Sequence, residues 1–516
     1  MKLSFYSFIF LFFYVSLHSQ ITLQAKLKKY KIPKKALKLL NSLPDKSLTL
    51  DLILKKGLTS DNFEIIKLQN LEKRVLKYAA KIPFDTYISA SVLKGNDKSA
   101  STRPGSPYNN QLTNGNLKLS SNFLTGTSVS LESAYKNNNS LSPSFTGSGS
   151  EIHTKYHENK ISLNLRQDLL KNSFGYYERK TLQALNIQKQ NVKNKFSVNV
   201  ENWSYKLIET FYTAWLLKAK VQVAQSNYYR QRRLKNITYL KFKRGTAKKS
   251  DLLQTQSAEK NSKQNLNSSK QDLENIWRNL VVQLNFPKDW LNINPFLIPI
   301  KLDNPIFKAL KSCKKDLDIK SNWEVKSLTK QYKASQLNLS AAKNQMLPEV
   351  YFGLKLSSNA VNPDNPSQAL QDSLQNKNKG VFVELGLSIP IGRYKEKSKL
   401  AKSVMNKKIL QYRLSSLKKT IQTKWKNECL NLLRLKKKKK ELQLVKSMQK
   451  QRAKLEEKRF RIGKVPVFNN IQAGLDSALS KLAFKQSEVS LRLSAWRILK
   501  MNSKLINYIN KLSSNK

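Results

Sequence analysis

Two different periods of apolar residues run through this chain. Phe196, Val200, Trp203, Leu207, Ala214, Leu217 and Val221 recur at threes, fours and one seven, which keeps one stripe of a helix apolar and makes a coiled-coil seam. The helical run, from about Lys171 to Lys243, has roughly 70 residues and at about 1.5 Å each extends on the order of 100 Å. Elsewhere the period is two. Ile161, Leu163 and Leu165 alternate with polar neighbours, as do Val381, Val383, Leu385, Leu387 and Ile389, the pattern of a strand with one apolar face.

The pattern occurs twice. LKFKRG, with Phe242 and Gly245, matches KRFRIG, with Phe460 and Gly463, at an offset of 218 positions. Upstream, Trp203 faces Trp425, Leu207 faces Cys429 and the strand from Leu163 faces that from Leu385, all at 222. The shortening by four is close to one helical turn and predicts that the difference lies within the helix. Residues around Pro83 match those around Pro348, but the first copy then carries about 43 extra residues, rich in Ser, Asn and Gly. That excess reads as a surface loop with weak strand patches such as TSVSLESAY.

Each copy therefore reads helix, strand, loop, strand, long helix, turn, helix, with four strands per chain. The predicted division is a signal peptide over 1–19, a first repeat over 20–285, a linker over 286–308 containing FPKDWLNINP, and a second repeat over 309–516. Met1, Lys2 and the apolar FYSFIFLFFYVSL run form the secretory signal, with cleavage near Ser19. No later run has 18 uninterrupted apolar residues, so only strands are left to cross a bilayer.

The composition changes this picture in one respect. With 94 Lys+Arg against 34 Asp+Glu the formal charge is +60, which suits a polyanionic partner; lysine on solvated helix faces accounts for most of it. Gly and Pro, at 15 each, are too few to break long helices. The run Lys436–Lys440 points in every direction around a helix and interleaves no aromatics, so no nucleic-acid partner is expected. Cys313 and Cys429, 116 positions apart, read as incidental core or helix residues.

Catalytic chemistry is not signalled. There is no phosphate loop, GxSxG elbow, HExxH or Cys–His pair, so neither an enzyme nor a cofactor is expected. His153 and His157 share one face, but with no Cys or third His, and only Glu151 and Glu158 as nearby acids, they read as part of a solvated loop rather than a metal site.

The signal, the paired repeats, Gln167-Asp168-Leu169-Leu170 at one strand end, Ser388-Ile389-Pro390-Ile391-Gly392 at the other, and the two glycine turns together resemble the TolC-like outer-membrane efflux family. That resemblance covers nearly the whole mature chain. It implies a mainly α fold with a small β part: a homotrimer whose four strands per chain form a twelve-stranded outer-membrane β-barrel, set on an α-helical barrel in the periplasm. It also implies an exit duct for an efflux or type I secretion system, working with a periplasmic adaptor (membrane fusion) protein and, through it, an inner-membrane pump.

By the same resemblance Arg244, Gly245 and Thr246, and Ile462, Gly463 and Lys464, are the adaptor-contact tips. Asp251, Gln254, Asn469 and Gln472 are the aperture candidates. Members of the family often carry acids at the positions of Asn469 and Gln472 and an arginine at Val465, so an acidic aperture ring is not expected here and a basic tunnel passing anionic cargo is. The competing reading is an exported basic coiled coil that binds anionic polymer or a surface without forming a pore.

Overall fold

A computed structural model of the chain describes residues 47–99, 106–143 and 151–514; the expected signal and its cleavage point lie outside them. The fold is mainly helical with one small antiparallel sheet, and it divides into two units. One is drawn from the segments up to Gln69, Lys195–Trp323 and Lys418 onward, and the other from Asn70–Asn194 and Glu324–Leu417.

Short helices α1 (Leu50–Gly57), α2 (Asp61–Leu68) and α3 (Glu72–Ala79) lead to strands β1 (Tyr87–Asp97), β2 (Asn109–Asn122), β3 (Thr127–Pro143) and β4 (Glu151–Asp168). Helices α4 (Tyr176–Lys243), α5 (Lys249–Gln283), α6 (Ile306–Cys313) and α7 (Trp323–Asn344) follow. The second copy runs β5 (Glu349–Asn362), α8 (Pro366–Leu374), β6 (Asn378–Ser388), α9 (Tyr394–Arg461), α10 (Val467–Met501) and α11 (Lys504–Ser514).

Helices α4 and α9 have 68 residues each, and both their first and last residues keep the offset of 218. The four-residue difference therefore falls where the strands hand over to the helices, not within the helices as the Trp203–Trp425 match suggested. In α5 the buried positions Leu252, Thr255, Glu259, Ser262, Leu266, Ser269 and Leu273 alternate threes and fours, a heptad stripe. Its small hydroxyls are satisfied locally: Ser262 Oγ donates to the Glu259 carbonyl at 2.8 Å and Ser269 Oγ to Asn265 at 2.8 Å.

The sheet holds six strands in the order β1-β2-β3-β4-β5-β6, not the four expected. The Ser/Asn/Gly-rich excess forms the β2–β3 hairpin, with strands of 14 and 17 residues. Asparagine and serine are poor strand formers, but a neighbour on each side supplies the ladder. Its turn is seated against the start of the first long helix. Gln167 Nε2 donates to the Thr125 carbonyl at 3.1 Å, and the Asp168 amide to Gly126 O at 3.2 Å.

Gly126 and Gly175 both have φ of +72°, and a Cβ on Gly175 would lie 1.7 Å from the Leu124 carbonyl oxygen. Gly175→Ala is therefore expected to unseat the hairpin turn, at a conformational cost of about 1–2 kcal/mol before the clash is counted. Faster amide exchange at residues 123–127 than in the unaltered protein is the check; unchanged exchange would refute the packing.

Every strand pair keeps its register without a bulge, so the rows that start at Tyr87 to Ser91 cross the whole sheet. One row reads Ile88, Leu119, Leu131, Leu163, Leu356, Val381. The next reads Ser89, Lys118, Glu132, Ser162, Ser357, Gly380 and belongs to the opposite face. On the polar face Arg166 pairs with Glu349 and stacks 3.7 Å from the Tyr351 ring centroid, while Tyr351 Oη donates to Glu384 at 2.6 Å.

Towards the ends of β3 and β4 the apolar face turns polar. Tyr135 Oη and His157 Nδ1 are hydrogen-bonded at 2.8 Å, and Ser373 of α8 donates to Asn159 at 3.2 Å. His153 and His157 thus lie on a strand, with His157 buried, rather than in a solvated loop.

In the other unit the core gathers Ile208, Phe211, Tyr212, Leu280, Leu284, Ile298, Trp496 and Leu505. Cys313 and Cys429 are joined by a disulfide beside Ala309, Trp425, Leu432 and Ile498, so they are not incidental. The bond ties α6 to α9.

Lys218 is buried with its ammonium on the Ile298 carbonyl, and burial pulls its pKa down to about 8. The unfolded chain holds that proton up to about pH 10.4. Between about pH 8 and pH 10.4 the unfolded state therefore binds more protons and stability rises with pH. Lys218→Met is expected to remove that rise, on the order of 3 kcal/mol, in melts across the window; a slope identical to the parent's would contradict the burial.

Candidate functional site

The chemistry-bearing part of the helical unit is the pair of turns where α4 meets α5 and α9 meets α10. Both are built alike. Gly245 has φ of +69° and Gly463 of +79°, the left-handed conformation that closes a helix without a side-chain clash. The Gly245 and Thr246 amides donate to the Phe242 and Lys241 carbonyls at 3.0 and 2.9 Å. The Gly463 and Lys464 amides donate to Phe460 and Arg459 at 3.1 and 2.9 Å. In both places a Cβ on the glycine would meet nothing within 4 Å, so the backbone requires glycine while the surroundings leave the turn open.

Arg244, Gly245 and Thr246, and Ile462, Gly463 and Lys464, are all exposed. Around them Leu240, Leu253 and Phe468 expose apolar surface as well. The charge is predominantly positive: Lys241, Lys243, Arg244, Lys248 and Lys249 at one turn, Lys458, Arg459, Arg461 and Lys464 at the other. The acids near the second turn are engaged, Glu457 with Arg461 at 2.8 Å and Glu456 with Arg459 at 3.6 Å.

The helices bearing the two turns pack together. Leu234, Phe460 and Val467 form a small buried cluster with Ile237, Val465 and Ile471 against it. Lys241 Nζ donates to the Phe460 carbonyl at 2.7 Å and lies 4.5 Å from that ring's centroid.

Of the four aperture candidates, Asp251 and Gln254 lie at the start of α5 and Asn469 and Gln472 at the start of α10. Asp251 accepts from the Lys248 amide at 3.3 Å, capping the start of α5, and Gln254 is exposed one turn on. Asn469 is exposed; Gln472 donates to Asp476 at 2.9 Å, and Asp476 pairs with Arg452 at 3.0 Å.

Arg230 was not signalled by any motif. Its guanidinium donates to the Ala453 carbonyl at 2.8 Å and to Asn470 Oδ1 at 2.9 Å, and its side chain occupies the space above Gly474. Those contacts join residues more than 220 positions apart, which no local pattern reveals. Among the described residues no group of three or more His, Cys, Asp or Glu could hold a metal, and no helix is long and apolar enough to cross a membrane.

No protein-family model matches the sequence, and no curated protein matches it as a sequence relative. Solved structures do match its fold. The CmeC outer membrane channel of Campylobacter jejuni superposes with a TM-score of 0.64 at 13% identity, covering 90% of this chain and 89% of that one. The outer membrane protein VceC of Vibrio cholerae gives 0.62 at 10% identity, over 87% and 96%. The open state of the MtrE outer membrane channel of Neisseria gonorrhoeae gives 0.56 at 12% identity, over 88% of each.

Proposed function

From the premise that this chain has the fold of outer-membrane channels, we propose that it is such a channel: a homotrimer in the outer membrane of a Gram-negative-type cell, exported by a cleaved signal. Its strands form the membrane barrel and its long helices a periplasmic tunnel. It serves as the exit duct of a tripartite efflux or type I secretion system.

The observation that carries this reading is the sheet. Leu163, Leu356 and Val381 continue one apolar row on one face while Ser162, Ser357 and Gly380 line the other, and the apolar side chains stand in the open: Val381, Val383, Leu385 and Leu387 are 67–73% exposed. A sheet solvated on both sides has no reason to keep such a face; hydrocarbon on one side and an aqueous lumen on the other does.

The open turns at Gly245 and Gly463 suit a periplasmic adaptor, through which an inner-membrane pump would connect, and their basic rims favour an acidic adaptor surface. An anionic cargo fits the same charge. The rival reading, an exported basic protein held on anionic polymer, has the charge of +60 in its favour.

Extraction separates the two. A barrel protein stays with outer-membrane fractions in about 1 M salt, where the Debye length falls to about 3 Å, and leaves only with detergent. Release by salt alone would establish the polymer binder instead.

A further inference from the structure

On the channel reading above, we propose that the membrane wall of the trimer has eighteen strands rather than twelve: the β2–β3 hairpin is inserted in the barrel, and β1 of each copy pairs with β6 of the next.

Three observations lead there. First, the hairpin carries the same two faces as the rest of the sheet. Leu119 and Leu131 sit in the row between Ile88 and Leu163, and Lys118 and Glu132 in the polar row between Ser89 and Ser162. A surface loop has no need to match the alternation of its neighbours, whereas a strand between lipid and lumen must. Leu117, Leu119 and Leu131 are all exposed, with no protein covering them among the described residues, and the hydrocarbon of the bilayer is the occupant that fits.

Second, the hairpin runs the full height of the sheet. Its turn reaches the end where β4 passes into the first long helix, where Gly126 and Gly175 leave no room for a side chain between the two backbones. At the opposite end β2 and β3 remain paired out to Asn109 and Leu141. The pair therefore occupies two strand positions of the wall and is not folded over it.

Third, the sheet ends on two unsatisfied edges. Among the described residues only β2 pairs with β1, and only β5 with β6, and all eleven residues of β1 are exposed. In hydrocarbon an unpaired backbone group has no water to bond, so neither edge is tolerable alone. Six alternating strands leave β1 and β6 running in opposite directions, so head-to-tail copies join by antiparallel pairing and a ring of three closes. A barrel widens about in proportion to strand number, so this pore is about half as wide again as a twelve-stranded one, suiting bulkier cargo.

The test places one nitroxide at a time on the full-length protein, reconstituted as the trimer in lipid. Cys313 and Cys429 are disulfide-bonded and do not take the label. Leu131→Cys and Glu132→Cys probe the inserted hairpin; Leu163→Cys and Ser162→Cys probe β4 beside it. The labels at 131 and 163 are expected to be relaxed by oxygen, those at 132 and 162 by a water-soluble nickel chelate.

A label at 163 in lipid with one at 131 in water would overturn the eighteen-stranded wall and leave the channel standing. A label at 163 in water would overturn both. Counting strands in an electron-microscopy map of the same trimer gives an independent check, with eighteen expected and twelve contradicting.

Discussion

Replacing Cys313 and Cys429 together by serine is expected to destabilise the helical unit by up to about 4–5 kcal/mol, the chain-entropy value for a cross-link closing a loop of about 100 residues. The bond spans 116 positions of sequence, and the enclosed segment contains β5, β6 and the first part of α9. Without it, the buried residues through which α6 meets α9 are Trp425 and Leu432, in a cluster shared with Leu491, Ala495 and Ile498 of α10, which is a small contact for so long a loop. Such bonds persist mainly in oxidising compartments. Thermal melts of the parent with and without reductant, beside the double variant, give the check. Reduction should lower the parent to the variant's midpoint, and coincidence of all three curves would show that the bond contributes nothing.

Trp496→Ala is the other large effect, at about 3–5 kcal/mol for removing a buried tryptophan. Trp496 is 4% exposed, and its indole nitrogen lies 3.1 Å from Asp303 Oδ2 and 3.2 Å from the Tyr212 hydroxyl. Tyr212 donates to the same carboxylate, and Arg492 donates to the Asp303 carbonyl at 3.1 Å. Burial pushes the Asp303 pKa up, and these donors hold it back.

The alanine variant therefore loses packing and also withdraws a donor from a buried carboxylate. Trp496→Phe separates the two: it keeps most of the ring and should cost only the donor, about 1–3 kcal/mol. Equal melting of the two variants would mean that packing plays no part. A phenylalanine variant as stable as the parent would mean that the hydrogen bond does not matter.

The helical half of this fold was legible because its signals are local. The heptad stripe, the paucity of breakers and a glycine at each turn state where helices run and reverse, and Gly245 and Gly463 are both left-handed as those turns require. Strands β4 and β6 were legible for the same reason, through their strict alternation. Of the β2–β3 hairpin only the patch TSVSLESAY, the first half of β3, was legible. Its strands carry Asn109, Asn110, Asn114 and Asn116 on one side and Asn137, Asn138 and Asn139 on the other, residues whose propensity points to loops. They are strands because a neighbour on each side supplies the ladder, which overrides the propensity of the residues themselves.

The same limit accounts for the cysteines. A spacing of 116 says nothing about proximity until α6 is laid on α9. At the helix turns, the residues picked by position along the repeat are exposed, but position did not assign their bonds. Asp251 caps its own helix and Gln472 turns to Asp476, while Arg230, which bridges to the second copy, stood in no motif.

On the proposed function this chain makes a pore. The most direct measurement is single-channel recording in a planar bilayer on detergent-extracted protein, with a crosslinking ladder from the same preparation. Discrete, uniform conductance steps from a sample that crosslinks no further than a trimer are the expected result. A salt-released, non-trimeric protein that leaves the bilayer silent would contradict it.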